Sequence, residues 1–236
     1  MDLYIKKFHF FTFFGLLLMV VSESTCAFEL TGSKWLGAET EFYVGIEGIS
    51  GTGILWNTAF ITAMEEWTIE TPFTFTFKEE YRDPCTNDGL NGVDFVEDYC
   101  GSEFGKNTLG ITVVRYENTL LGEPNLVQAD IILNGLEKFD IFGGALPPVG
   151  PLSDRYDFRR AALHELGHVI GLEHEDTKQA IMAPEISDID RLQPDDIAGV
   201  EALYSGLDSC EIKDLKFGIT VAALETDDCT VQELTV

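Results

Sequence analysis

The chain has 236 residues, 45% apolar and 24% charged, which is enough to bury one sizeable core and excludes a disordered or collagen-like chain. Fifteen Lys and Arg stand against 41 Asp and Glu, so the formal net charge is -26, and such a surface repels phosphate backbones and anionic lipid. No nucleic-acid partner is expected, and the acidity suits either a plainly solvated surface or one that binds divalent cations.

In chain order, Lys6 and Lys7 precede the apolar run Phe8 to Val21, and small residues follow at Thr25 and Ala27. This pattern predicts a secretory signal peptide over 1–27, cut after Ala27. The competing reading, a membrane anchor, needs roughly 20 apolar residues, whereas Ser22, Glu23, Ser24 and Thr25 end this run early. Residues 1–27 carry as many acidic as basic side chains, so the acidity belongs to the part that folds. In an exported chain, Cys85, Cys100, Cys210 and Cys229 form an even set after Cys26 leaves with the signal. Four cysteines allow three pairings, of which Cys85 with Cys100 and Cys210 with Cys229 close short polar loops.

Glu41 to Ile46 alternates like a strand, and Asn57 is placed to cap a helix that puts Phe60, Ile61, Met64 and Trp67 on one face. Phe73, Phe75 and Phe77 alternate with threonines as a second strand, and Leu109 to Arg115 and Gln128 to Asn134 read as two more. Residues 82–107 and 135–156, rich in Gly, Pro, Asp and Asn, read as long surface loops.

The chemistry gathers at 157–182. Asp157 can cap a helix through Phe158, Ala161, Leu163 and Leu166, on which His164 and His168 stand four apart and therefore project from one face. Gly171 lets the chain leave the helix with a positive φ, and His174 three residues on can return a third nitrogen. Three nitrogens leave one position open, as in catalytic zinc sites, and Glu165 beside the first ligand is placed to act as general base. The only other histidine, His9, lies in the predicted signal peptide, so no histidine remains for a second zinc site and any further metal must be held by oxygen.

The stretch His164-Glu-Leu-Gly-His-Val-Ile-Gly-Leu-Glu-His174, followed by Ala180-Ile-Met182-Ala-Pro184, resembles the metzincin zinc signature with its Met-turn. Phe28-x-Leu-Thr with Lys34-Trp35, the Ala-Pro after Met182, and the final Leu192 to Tyr204 resemble the matrixin branch, so the likeness covers most of 28–206. The Cys85–Cys100 loop resembles secreted bacterial matrixin-like proteins more than animal ones. The resemblance implies an α+β metzincin domain over 28–206, built on a twisted mixed β-sheet with an active-site helix and a C-terminal helix. It also implies catalytic zinc on His164, His168 and His174, Met182 packed beneath it, and structural calcium, for which Asp88, Asn91, Asp94, Asp154 and Asp157 are candidates. A pro-domain with a zinc-capping cysteine, usual in matrix metalloproteinases, is not seen before Phe28.

The expected activity is hydrolysis of a protein or peptide, held extended on the edge strand Leu109 to Arg115, by a secreted monomeric enzyme free of membrane once the signal is cut. Glu185 to Arg191 would wall the pocket beyond the cut. Asp195 and Asp196 either stabilise the start of the last helix or receive the ammonium of a chain beginning at Phe28. Residues 207–236 hold two strand-like pieces, Leu215 to Val221 and Asp227 to Val236, read as a β-rich tail: a hairpin, or the opening of an appended β-sandwich. The rival readings are a secreted zinc-binding protein without activity and a zinc hydrolase of non-peptide amides.

Overall fold

A computed structural model describes residues 28–120, 124–147 and 154–205. The expected signal peptide at 1–27, the tail at 207–236 and the Cys210–Cys229 pairing lie outside the described residues. The element order is β1 (Lys34–Trp35), β2 (Glu39–Val44), α1 (Trp56–Glu70), β3 (Thr74–Lys78), β4 (Asn91–Val96), β5 (Gly110–Glu117), β6 (Asn125–Asn134), β7 (Phe139–Asp140), β8 (Tyr156–Asp157), α2 (Phe158–Ile170) and α3 (Pro194–Tyr204). Six strands make one mixed sheet, and β7 and β8 form a small parallel pair. In the main sheet β3, β2, β4 and β6 run parallel, β1 pairs with the start of β6, and β5 lies antiparallel along the other side of β6. This is the α+β arrangement expected, with α1 and α2 packed together against the sheet.

The core is aromatic and aliphatic: Phe42, Phe60, Trp67, Phe73, Ile131, Leu133, Phe158 and Leu163 are fully buried. Each side chain of this size contributes roughly 1.5–3 kcal/mol on burial. Helix α2 is additionally bolted through its own carbonyls. Trp67 Nε1 donates to Leu163 O (3.0 Å), Trp35 Nε1 to Val169 O (2.7 Å) and the Tyr204 hydroxyl to Ile170 O (2.7 Å). The first turn of α2 is closed as the sequence predicts, because the Asp157 side chain accepts from Arg159 N.

Three expectations need correction. Helix α1 starts one residue before Asn57, whose Oδ1 is buried and makes no hydrogen bond; Leu55, bridged to Ile49, takes the cap position without a side-chain bond. The helix start is fixed here by the preceding backbone bridge and not by a capping side chain. The stretch 82–107 is not all loop, since β4 is inserted in it between β2 and β6. Its Asn91 works as a strap: Nδ2 donates to Thr40 Oγ1 (2.8 Å) and Glu41 O (2.7 Å), while Oδ1 accepts from Ala129 N (2.8 Å). Asn, Gly and Asp have low strand propensity, and only this long-range pairing makes the segment a strand. Finally, 135–156 contains the two-residue strand β7 and the start of β8.

The predicted strand at 73–77 is present, shifted one residue to Thr74–Lys78, and Phe77 is 41% exposed. Its outer edge is blunted from α1, because Phe75 N donates to Thr68 Oγ1 (3.0 Å) and Phe73 N to Thr71 Oγ1 (3.3 Å). Among the described residues β5 is the other edge, with β6 as its only partner strand.

Candidate metal centre

The helical repeat of α2 brings His164 and His168 together, with ring centroids 4.8 Å apart and Nε2 atoms 3.2 Å apart. At Gly171 the backbone takes φ 120°, a conformation that favours glycine, and its N–H closes onto Gly167 O and His168 O. The chain then turns back, and the exposed His174 ring lies 5.1 Å from that of His164 and 4.9 Å from that of His168. One nitrogen from each of the three lies within 4.8 Å of the others, the only such gathering of His, Cys, Asp or Glu among the described residues.

The outward nitrogens of the helix pair face acceptors. His164 Nδ1 is 2.8 Å from Ile181 O and His168 Nδ1 is 2.8 Å from Leu172 O. A carbonyl only accepts, so each Nδ1 carries the proton and each Nε2 is left as a bare donor pair. Burial holds both imidazoles well below their usual range, at about 4, so they are neutral at physiological pH. The set fits zinc. A tetrahedral ion with Zn–N bonds of about 2.0–2.1 Å spaces its nitrogens roughly 3.3 Å apart, close to the 3.2 Å between the two Nε2 atoms.

Glu165 is 6% exposed, and one of its oxygens, Oε2, accepts from Thr112 Oγ1 at 2.6 Å. Burial raises its pKa, opposed by His168, the Thr112 hydroxyl and His174. Met182 is 2% exposed and sits against the helix at Gly167, where a β-carbon would come within 2.2 Å of its sulfur. Position 167 therefore has to be close to glycine in size for Met182 to lie under the turn that bears the histidines.

The turn at 181–182 is hung from α3. Asp196, 2% exposed, accepts from Ile181 N (2.9 Å), Met182 N (3.1 Å) and Gln193 N (2.8 Å). Because Ile181 O in turn meets His164, one buried carboxylate holds both the Met182 turn and a histidine. Asp195 Oδ1 accepts from Lys178 Nζ at 2.8 Å. Both acids thus have partners within the fold, and Asp196 closes a capping box with Gln193.

His164, His174 and Glu165 line a cleft of about 550 Å³ together with Asn107 to Gly110, Ala183 to Ser187 and Ile189. Of the expected wall Glu185 to Arg191, Glu185 to Ser187 and Ile189 line the cleft. The wall is tied to α2 by Arg160, buried and paired with Asp157, whose guanidinium donates to Ile189 O (2.9 Å) and Asp188 O (3.2 Å).

The predicted Cys85–Cys100 disulfide is present, with the cysteine Cα atoms 5.2 Å apart. Among the described residues the acidic calcium candidates belong to no group of three or more metal-ligating side chains. Asp88 caps Leu90 N, Asp94 meets Phe95 N, Asp154 pairs with Lys138, Asp157 with Arg160, and Asn91 straps β4. Sequence reasoning missed Gly110, Thr112 and Gly167; only the last has a local signal, as a glycine inside the stretch His164 to His174.

A family model described as Matrixin matches residues 54–205. Metalloendoproteinase 5-MMP of Arabidopsis thaliana is 30% identical over 151 residues, which cover 62% of this chain and 39% of that protein. Matrix metalloproteinase-19 of Mus musculus is 44% identical over 61 residues, 25% of this chain and 11% of that one. Metalloendoproteinase 1 of Glycine max is 40% identical over 57 residues, 23% of this chain and 19% of that one. The chain thus spans 39% or less of the length of these relatives.

Proposed function

This chain belongs to the matrixin family, with the metzincin fold, and on that premise we propose that it is a zinc-dependent endopeptidase acting on proteins or peptides. The observation that carries the proposal is the convergence of three histidine nitrogens, two of them neutral and held by backbone carbonyls, beside the buried Glu165 on the floor of an open cleft. A structural zinc site needs neither an open fourth position nor a carboxylate next to it.

Zinc held by His164, His168 and His174 would supply a Lewis acid with one open position, able to polarise a carbonyl and to lower the pKa of a water to about 7. The protein's own groups do the rest. An extended substrate pairs main chain to main chain with the open side of β5. Glu165 takes the proton of the attacking water and delivers it to the leaving amine, so no acyl-enzyme forms. The cleft beside Ile186 and Ile189 receives the side chain beyond the cut, which favours an aliphatic or aromatic residue.

Export is also proposed, from Lys6, Lys7 and the apolar run to Val21. No helix among the described residues is long and apolar enough to cross a membrane. The test is digestion of an unfolded protein by the zinc-loaded enzyme beside Glu165→Gln carrying equal zinc. The parent should cut and the variant should lose at least about 10²-fold in kcat, the order expected of a general base. Two fully metallated but inert proteins would remove the endopeptidase reading and leave a zinc-binding protein.

A further inference from the structure

The edge strand β5 does more than offer a backbone to a substrate. Gly110 and Thr112 are two residues apart, so the strand's alternation turns both to the same face, and both meet Glu165 there. Thr112 Oγ1 lies 2.6 Å from Glu165 Oε2 and 3.1 Å from Glu165 O. A hydroxyl has one hydrogen, and 2.6 Å is the length of an O–H···O⁻ bond to an ionised acceptor, so the proton goes to the carboxylate. At Gly110 a β-carbon would come 2.6 Å from Glu165 Oε1 and 3.0 Å from Cγ and Cδ. One residue supplies a hydrogen bond to one carboxylate oxygen, and the other leaves the space that the second oxygen occupies.

We propose that Gly110 and Thr112 are positioning residues that lock the Glu165 carboxylate in place, so that the strand receiving the substrate also aims the base. The inference rests on the reading of Glu165 as the base. A buried carboxylate is costly to leave without a donor, and among the described contacts Thr112 is the side chain that donates to it. The alternative use of Thr112 is a plain tie between β5 and α2 through Glu165 O. That tie would be indifferent to the Glu165 side chain, and this difference makes the proposal testable.

The experiment compares the parent with Thr112→Val, Thr112→Ser and Gly110→Ala, each with its zinc content measured. Thr112→Val, which keeps the shape and removes the hydroxyl, should lower kcat by about 10- to 100-fold, the worth of a hydrogen bond to a charged group, with KM and bound zinc unchanged. Thr112→Ser should restore the rate to near the parent. Gly110→Ala should lower kcat at least as far, because the new methyl takes the place of the carboxylate. A second readout is independent of activity. In the metal-free protein Thr112→Val should lower the thermal unfolding midpoint, and the same change should have little effect once Glu165→Ala has removed the acceptor.

Parental kcat in Thr112→Val, failure of serine to rescue, or equal destabilisation in both Glu165 backgrounds would each overturn the proposal. If the parent itself cuts nothing, the endopeptidase reading falls, and the unfolding cycle still decides whether Thr112 serves the Glu165 side chain.

Discussion

Helix α2 and the segment bounded by Cys85 and Cys100 are anchored by different physics. Beyond its first turn α2 is held by neutral groups: the Trp35 and Trp67 indoles and the Tyr204 hydroxyl on its carbonyls, and backbone oxygens on its histidines. The Cys85–Cys100 segment carries β4 and is held by a covalent bond and by a charged network in which Asp130, 0% exposed, accepts from Gly92 N, Arg115 and Gln128. The histidine helix is thereby anchored without a disulfide and is insulated from reductant, whereas the inserted strand is crosslinked by one and leans on a carboxyl that titrates at about 6. The arrangement lets a reductant act on the frame of the sheet before it acts on the histidine triad.

The deepest break in the insulated half is Asp196→Ala. It leaves two buried N–H groups, those of Ile181 and Met182, and the half-buried one of Gln193 without an acceptor, at roughly 3–5 kcal/mol in total. Because Ile181 O orients His164, the variant should bind zinc more weakly as well as unfold earlier. Calorimetry together with zinc titration checks this; parental zinc affinity in a folded Asp196→Ala protein would uncouple the Met182 turn from the metal centre.

On the other side, Cys85→Ser with Cys100→Ser removes a crosslink across 15 residues of sequence separation, worth about 3 kcal/mol in the chain-entropy model. Denaturant unfolding should show that loss, and a reductant should reproduce it in the parent. Bound zinc and the His164–His168 pair should be untouched. If reduction released zinc as well, the two regions would form one unit and the contrast between them would fail.

The same contrast explains what the sequence made legible. His164, Glu165 and His168 were readable because the helical repeat alone puts the two rings on one face, and His174 because Gly171 marks the helix exit. β4 was not readable, since Asn91, Gly92 and Asp94 are turn formers by propensity and become a strand only between β2 and β6. Asn57 looked like a cap, but the Ile49–Leu55 bridge had already set the helix start. Asp196 was visible as an acid at a helix start, while its hold on residues 14 and 15 positions away was not. Thr112 and Glu165 lie 53 residues apart, and nothing local in β5 announces the contact.

The gentlest way to sharpen the comparison is pH. Burial raises the Asp130 carboxyl to about 6, against the pull of Gly92 N–H, Arg115 and Gln128. In the unfolded chain it titrates near its ordinary value of about 4, so between pH 4 and 6 the native state binds more protons than the unfolded one. Stability from this group is therefore fully present below about pH 4 and is lost as pH rises through 6, by no more than about 3 kcal/mol. Asp130→Asn cannot titrate, so the stability difference between parent and variant should narrow or reverse in the variant's favour across that window in denaturant melts at fixed salt. A constant difference from pH 4 to 7 would mean that Arg115 keeps Asp130 ionised throughout. The charged frame of β4 would then be indifferent to pH, leaving the disulfide as its one responsive anchor.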